Sequence, residues 1–244
     1  MSCNFTRLLV SVRSGDEASA AVDGGADLID VKNPDHGSLG MATTRTVDQI
    51  VDRVAGRRPV SMALGEWHEA PTTVPDGVKW VKIGLARAPR DWRKHLARRL
   101  MAYHPANLVA VAYADHERAA APPLAQVLDW ALDHEAAGLL IDTAQKDGRH
   151  LFAWLDEQTL AGVIERARRA GMMVALAGSI DLSSIRRALR LHPSVVAVRG
   201  AACSAGNRTD AIDPERVDEL ARIIAAHNVV LETAGECHQM TRRQ

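Results

Sequence analysis

Short apolar runs alternate with longer amphipathic stretches along most of this 244-residue chain. Each run is rich in Val, Ile, Leu and Ala and is apolar on both faces, as a strand is when helices cover both sides of its sheet. Because parallel strands need a crossover connection, usually a helix, this alternation is typical of α/β folds. Eight strands are predicted, over residues 7–12, 27–32, 59–64, 78–84, 108–113, 138–142, 172–177 and 195–199.

The stretches between these runs carry helix signals. Ser14-Gly-Asp-Glu17 is typical of a capping box, and Asp213-Pro214 puts a capping residue before a proline in the first helical turn. The segment 65–77 contains Pro71 and Pro75, so it is predicted as a loop, and a helix after the third strand is expected to be reduced or missing. The predicted helices cover residues 16–24, 43–55, 90–103, 124–137, 156–171, 183–191 and 214–226.

These repeated units predict a single-domain (β/α)8 TIM barrel of the α/β class, since such barrels fold as one domain at roughly 200–250 residues. A doubly wound sheet is the competing fold, but its usual Gly-x-Gly-x-x-Gly does not follow the first strand. We assign residues 1–226 to the barrel and residues 227–244 to a C-terminal extension. The apolar run Val229-Val-Leu231 in that extension is expected to form an extra strand or a packing arm.

Charge and cysteine usage argue against several classes of function. Thirty basic residues balance thirty acidic ones, which gives no support to nucleic-acid or membrane binding. No stretch approaches the roughly 18 apolar residues that span a membrane. The three cysteines have neither metal-binding spacing nor a paired framework, and the ten histidines are scattered. We therefore expect a cytoplasmic protein with no metal site and no cofactor.

Lysine is rare, and its positions are informative. Only five of the thirty basic residues are lysine, and three of them end a predicted strand or follow one closely. An arginine side chain stays protonated, whereas a desolvated lysine can lose its proton, attack a carbonyl and form a Schiff base. Side chains alternate along a strand, so residues of equal parity point into the barrel together. The mouth is therefore predicted to hold Asp30, Lys32, Lys82, Asp142 and Lys146.

Such a cluster can support acid–base chemistry. Burial and neighbouring ammonium groups lower the pKa of a lysine, while a carboxylate keeps it charged. One lysine can then act as a nucleophile and another as a proton carrier. The alternative is that these groups form solvated salt bridges at the loop edges.

The last two predicted strands end in residues suited to anion binding. Loops after strands seven and eight of these barrels commonly bind phosphate through backbone N–H groups. An arginine could add a bidentate contact to the same phosphate. A glycine taken alone is more often just a turn, but glycines after both strands favour phosphate binding. The predicted phosphate-binding residues are Gly178, Ser179, Arg199 and Gly200.

Other residues are weaker candidates. His36 lies in a glycine-rich loop beyond Lys32, and Glu66 lies where the third loop begins, so either side chain could reach the mouth. Cys203 and Ser204 lack an adjacent His–Asp arrangement, which argues against hydrolysis through them.

Seven sequence blocks, in order from the first strand to the eighth, resemble one family. They are Leu8-Leu-Val-Ser-Val-Arg13, Gly25-Ala-Asp-Leu-Ile-Asp-Val-Lys-Asn-Pro34, Gly37-Ser-Leu-Gly40, Val81-Lys-Ile-Gly-Leu85, Asp142-Thr-Ala-Gln-Lys-Asp-Gly148, Leu176-Ala-Gly-Ser179 and Val198-Arg-Gly-Ala-Ala-Cys203. This pattern is similar to that of (5-formylfuran-3-yl)methyl phosphate synthase, also called 4-(hydroxymethyl)-2-furancarboxaldehyde-phosphate synthase, of methanofuran biosynthesis.

The resemblance implies a (β/α)8-barrel lyase without cofactor or metal. It would join two molecules of glyceraldehyde 3-phosphate into a furan aldehyde phosphate, releasing phosphate and water. The family's Schiff-base lysine matches Lys32, and its proton-transferring lysine matches Lys82. Asp142 and Lys146 match further active-site positions, and Asp30 stands beside the Schiff-base lysine.

Two other functions stay open. One is a class I aldolase-type or isomerase enzyme acting on another phosphorylated sugar or triose. The other is a non-catalytic sensor of a phosphorylated ligand. In each case the partner is a small phosphorylated molecule rather than nucleic acid or a membrane, and the sequence leaves a homo-oligomer open.

Overall fold

Eight parallel strands pair in sequence order, and β1 pairs with β8 to close a barrel. The computed structural model describes residues 5–69, 72–103 and 108–241. The strands are β1 (Arg7–Val12), β2 (Leu28–Val31), β3 (Val60–Glu66), β4 (Val78–Gly84), β5 (Leu108–Tyr113), β6 (Gly138–Asp142), β7 (Met173–Leu176) and β8 (Val195–Val198).

Helices form most of the crossovers between these strands. They are α1 (Gly15–Asp23), α2 (Thr44–Val54), α3 (Trp92–Ala102), α4 (His116–Ala119), α5 (Leu124–Asp133), α6 (Glu157–Arg169), α7 (Ile185–Leu189) and α8 (Pro214–Thr241). The predicted (β/α)8 barrel is confirmed, and each predicted strand lies within two residues of an observed one.

The prediction for the segment after β3 is also confirmed. No helix occurs in the described residues 67–69 and 72–77 between β3 and β4. The additional short helix α4, in the loop after β5, was not predicted from the sequence.

The cap signals mark helix starts in the structure. The Ser14 hydroxyl accepts a hydrogen bond from the Glu17 backbone N–H at 3.2 Å, and Asp213 accepts one from the Glu215 backbone N–H at 2.9 Å. The Glu17 carboxylate does not close the capping box on Ser14. It accepts instead from the Arg13 backbone N–H at 2.9 Å and turns toward the end of β8.

The sheet separates two apolar layers. Inside the barrel, large side chains such as Leu9, Trp80 and Leu140 fill the space between the strands. Outside, the strands pack against the buried faces of the helices, for example Val47 and Ile50 of α2. A cavity enclosed by the strands reaches down to residues at their amino ends, such as Gly138 and Val195, and carries its polar side chains toward the carboxyl ends.

Helix α8 continues across residue 227, so the proposed division between barrel and extension falls inside a helix. The apolar run 229–231 is therefore helical and does not form an extra strand. Asn228 still contacts the barrel, because its amide exchanges two hydrogen bonds with the Thr6 backbone, at 2.9 and 3.0 Å. Among the described residues, no helix combines the length with the hydropathy that a membrane crossing needs.

Candidate active site

A cavity of about 400 Å³ opens at the carboxyl ends of the strands, a size suited to a small molecule. Five sequence-predicted residues line it together. Asp30 is on β2, Lys32 follows β2, Lys82 is on β4, Asp142 ends β6, and Lys146 lies in the next loop. Asp30, Lys82 and Asp142 thus face the barrel interior, as strand parity predicts, and Lys32 and Lys146 join them from the loops.

Asp30 and Lys82 form a buried ion pair across β2 and β4, and both side chains are at most 5% exposed. The Asp30 carboxylate also accepts hydrogen bonds from Ser61 Oγ at 2.8 Å and Ser11 Oγ at 3.0 Å. Burial acts to raise the pKa of Asp30, but the positive charges of Lys82 and Lys32 outweigh it and lower the pKa. Asp30 is thus held as a carboxylate inside the barrel.

Asp142 is the centre of a second group. Its carboxylate accepts hydrogen bonds from Lys146 Nζ and Ser38 Oγ, both at 2.7 Å, and from the Thr143 backbone N–H at 2.8 Å. Burial works against ionisation, yet Lys146 and Lys32 lower the pKa of Asp142 to about 2. This second carboxylate is also charged at neutral pH.

Lys32 lines the cavity together with the two carboxylates, which both act on it electrostatically. Its side chain is half-buried, and in the described part of the chain its amine takes part in no hydrogen bond or ion pair. Burial lowers the pKa of Lys32 to about 8, against the opposing pull of Asp142 and Asp30. Of the lysines that line the cavity, Lys32 has the amine that is open to a carbonyl carbon.

The turns after β7 and β8 line the same cavity. Gly178 and Ser179 have positive φ angles of 91° and 54°. A Cβ at Gly178 would lie 3.1 Å from Thr143 Cγ2, so the residue needs both glycine's backbone freedom and its small size. No hydrogen bond described within the protein uses the N–H groups of Gly178, Ser179, Ile180, Gly200 or Ala201. These donors are suited to binding an anion.

The structure gives Arg199 a different role from the one that the sequence suggested. Its guanidinium forms a bidentate pair with the Glu17 carboxylate, at 2.8 and 3.1 Å. The remaining N–H groups donate to the backbone oxygens of Ser11, Arg208 and Asp210. All five donors are occupied, and the side chain is 4% exposed, so Arg199 has no donor left for a phosphate.

Four residues of the cavity region were missed by the sequence reasoning: Ser11, Ser38, Ser61 and Arg208. Ser11 and Ser61 lie on strands with the parity of inward residues, so a search for inward polar side chains would have found them. Ser38 carries no such signal, because it reaches Asp142 from a loop 104 residues away in sequence.

The weaker candidates lie outside the cavity lining. His36 is exposed on a short turn, whereas Glu66 is half-buried and accepts hydrogen bonds from Tyr113 Oη at 2.6 Å and the Ala86 backbone N–H at 2.7 Å. Burial raises the pKa of Glu66, and these hydrogen bonds oppose the change. Cys203 is buried and donates its thiol to the Arg199 carbonyl at 3.3 Å.

A closed parallel barrel with amines and carboxylates gathered at the carboxyl ends of its strands has the organisation of a (β/α)8-barrel enzyme. The model of the family described as 4-HFC-P synthase matches residues 8–221. The chain belongs to this family.

Curated relatives with the same name align with this chain over almost their whole length. The chain is 35% identical to "(5-formylfuran-3-yl)methyl phosphate synthase" of Methanopyrus kandleri over 234 residues, covering 90% of this chain and 99% of the relative. It is 33% identical to the protein of the same name from Methanothermobacter thermautotrophicus, covering 89% and 98%.

Solved structures with low sequence identity share the fold. Thiamine phosphate pyrophosphorylase from Pyrococcus furiosus superposes with a TM-score of 0.61 at 16% identity, covering 92% of this chain and 98% of that one. For 3-hexulose-6-phosphate synthase from Salmonella typhimurium the TM-score is 0.58 at 17% identity, covering 91% and 100%. These similarities support the barrel architecture alone.

Proposed function

We propose that this protein condenses two molecules of glyceraldehyde 3-phosphate into (5-formylfuran-3-yl)methyl phosphate, as a lyase of methanofuran biosynthesis. The atoms balance when one phosphate and two water molecules leave. The observation that carries the proposal is the Lys32 amine, which lies in the cavity with its pKa lowered to about 8 and with two carboxylates near it. Membership of the 4-HFC-P synthase family supports the choice of product.

In this proposal, Lys32 forms the Schiff base. Its neutral amine attacks the carbonyl of one triose phosphate, after isomerisation to the ketone form, and loss of water gives an iminium ion. The iminium withdraws electrons from the neighbouring carbon, which loses a proton and becomes an enamine nucleophile. That carbon then bonds to the aldehyde carbon of the second triose. The charged Asp30 and Asp142 carboxylates stabilise the positive iminium through the low-dielectric cavity.

The two ion pairs provide proton carriers on different sides of Lys32. Lys82, paired with Asp30, is the proposed proton-transferring residue for the carbon next to the iminium. Lys146, paired with Asp142, is positioned to protonate leaving oxygens during phosphate elimination and dehydration. Each carboxylate keeps its lysine oriented toward the cavity, so both act as positioning groups as well as charge partners.

The substrate phosphates need donors that are not already used within the protein. The backbone N–H groups of Gly178, Ser179 and Gly200 meet this requirement, and all three residues line the cavity. Phosphate bound at these turns would hold a triose with its carbonyl toward the lysines.

The decisive experiment is to incubate the purified protein with glyceraldehyde 3-phosphate alone. We expect a product with the mass and ultraviolet absorbance of the furan aldehyde phosphate, together with released phosphate. Sodium borohydride added during turnover should leave a stable adduct on Lys32. The exposed Lys79 and Lys94 are internal controls and should carry none.

Two results would overturn parts of the proposal. A product that lacks the furan absorbance would point to an aldolase-type or isomerase reaction. An unmodified Lys32 under turnover would remove the Schiff-base assignment. The variant Lys32→Arg keeps a positive charge but cannot form the imine, so we expect it to be folded and to lack product formation.

A further inference from the structure

We infer that Arg208 supplies the side-chain cation that binds a substrate phosphate, and that Arg199 positions the loop carrying it. This inference deepens the proposed function and rests on it for the identity of the phosphate. Arg208 lines the cavity together with Gly206 and Asn207, in the loop that joins β8 to α8.

The Arg208 guanidinium has donors to spare, unlike that of Arg199. Within the described part of the chain, it makes one hydrogen bond, from Nη2 to the Gly37 carbonyl at 2.8 Å. An arginine side chain carries five N–H donors, arranged as a fork that matches two phosphate oxygens. Arg208 therefore keeps most of its donors for a ligand in the cavity.

The loop around Arg208 is folded so that this side chain reaches the anion-binding turn. Cys203 and Ile212 form an antiparallel bridge at its base, and the Ser204 N–H donates to the Ala211 carbonyl at 3.1 Å. The Gly206 carbonyl lies so close to Gly200 that a Cβ there would be 3.1 Å from it. Arg208 and the unused N–H group of Gly200 are thereby brought to one side of the cavity.

Arg199 holds this loop in place through hydrogen bonds to its backbone. Its Nε donates to the Arg208 carbonyl at 2.6 Å and its Nη2 to the Asp210 carbonyl at 3.2 Å. Because the same guanidinium is anchored to Glu17, the loop backbone is attached to the start of α1. The role of Arg199 toward the ligand is therefore indirect.

The charges around Arg208 are incompletely balanced. Burial lowers the pKa of Arg208, while Asp142 and Asp35 act in the opposite direction and Arg199 adds to the lowering. Asp142 is itself shared with Lys146 and Ser38. A phosphate dianion that bridges Arg208 and the N–H groups would supply the missing negative charge.

The test compares Arg208→Ala and Arg208→Lys with Arg222→Ala, an exposed arginine on α8. Binding of inorganic phosphate is measured by calorimetry, and KM and kcat are measured with glyceraldehyde 3-phosphate. Loss of charge-assisted hydrogen bonds should raise both the phosphate Kd and KM roughly 10- to 100-fold in Arg208→Ala. The phosphate Kd and KM of Arg208→Lys should lie between those of the wild type and Arg208→Ala, because lysine keeps the positive charge but not the paired N–H donors. Both values should be unchanged in Arg222→Ala.

A second comparison separates ligand binding from folding. Arg208→Ala should keep the melting temperature of the wild type, and its Lys32 should still be trapped by borohydride at saturating substrate. Arg199→Lys should lower the melting temperature together with phosphate affinity, since it loosens the loop. Phosphate affinity of Arg208→Ala within twofold of the wild type would overturn the inference.

The phosphate measurement does not depend on product formation, so the two proposals can fail separately. If the wild type makes no furan product but Arg208→Ala loses phosphate affinity, the Arg208 site stands and the proposed reaction fails. If product forms and Arg208→Ala binds phosphate normally, the reaction stands and the Arg208 site fails.

Discussion

Burial lowers the pKa of the Lys32 amine, a group that is normally protonated, and this supports its proposed role as a nucleophile. With the pKa at about 8 rather than 10.5, roughly a quarter of the amine is neutral at pH 7.5, against about one part in a thousand for a solvated lysine. The two carboxylates limit the shift, because they favour the charged form. In the proposed reaction the same two carboxylates also stabilise the iminium, so they serve both stages.

This pKa predicts the pH dependence of the reaction. The reactive form is the neutral amine, which is present above the pKa, so kcat/KM should rise tenfold per pH unit below about pH 8 and level off above it. The measurement is a pH profile of product formation from pH 6.5 to 9.5, alongside the rate of borohydride trapping at Lys32. A profile that is flat down to pH 6.5 would show that another step or another amine controls the rate.

The buried pair of Asp30 and Lys82 predicts that removing Lys82 destabilises the fold far more than removing an exposed lysine of the same strand. Lys82→Met leaves the Asp30 carboxylate buried without its closest cation, so the free energy of unfolding should fall by about 3–5 kcal/mol. Lys79→Met, on the exposed face of the same strand, is the matched control and should change it little. The double variant Asp30→Asn/Lys82→Met should recover part of the lost free energy of unfolding, because it no longer buries an unpaired carboxylate. Urea unfolding measures the free energy of unfolding of the three variants. Equal decreases for Lys82→Met and Lys79→Met would contradict the prediction.

The strands carry most of what the sequence could reveal. Period-two alternation on β2 and β4 is a local signal, and it was enough to predict that Asp30, Lys32 and Lys82 face the barrel interior. The loops were less predictable, because their contacts join residues far apart in the chain. No local pattern predicts the contact of Ser38 with Asp142, or the pairing of Glu17 with Arg199 in place of its own helix cap.

The contact between α1 and the end of β8 is the clearest of these long-range contacts. Glu17 and Arg199 are 7% and 4% exposed, and Glu17 is the carboxylate that pairs with the Arg199 guanidinium in the described part of the chain. Without Glu17, Arg199 would be a buried charge with no ion-pair partner there. Glu17→Gln should lower the free energy of unfolding by about 3–5 kcal/mol and should also weaken phosphate binding through the β8 loop. Glu165→Gln removes an exposed partner of Arg168 and Arg169 and should have no measurable effect. Urea unfolding and phosphate titration are measured for both variants. If the two variants are indistinguishable, Glu17 has no positioning role.

In the molecule as a whole, the polar residues of the cavity and the contacts of Thr6 and Asn228 lie at opposite ends of the barrel. The lysines and carboxylates lie at the carboxyl ends of the strands, whereas the opposite end is closed by contacts between distant parts of the chain. There the Thr6 hydroxyl donates to the Pro193 carbonyl at 2.7 Å, and the Asn228 amide satisfies the Thr6 backbone. Thr6 and Asn228 thus stabilise the barrel at the end remote from the lysines and carboxylates of the cavity.

This separation predicts that Asn228 affects stability without affecting catalysis. Asn228→Ala removes two hydrogen bonds between α8 and the start of β1, a loss of about 2 kcal/mol. For a chain of this size the melting temperature should fall by roughly 4–8 °C. Val229→Ala, at the adjacent exposed position, is the control and should melt like the wild type. Well below the melting temperature, kcat and KM should be unchanged in both variants.

The same contact locates the end of the barrel along α8. A chain shortened after residue 232 keeps the Asn228 amide and should melt like the full chain, whereas one shortened after residue 226 should behave like Asn228→Ala or worse. Calorimetry of the two shortened chains makes the comparison. If both melt alike, the barrel ends at residue 226, as the sequence first indicated. If only the shorter one is destabilised, the barrel boundary lies beyond Asn228, inside the helix, because the polar contact of Asn228 with Thr6 stabilises the barrel.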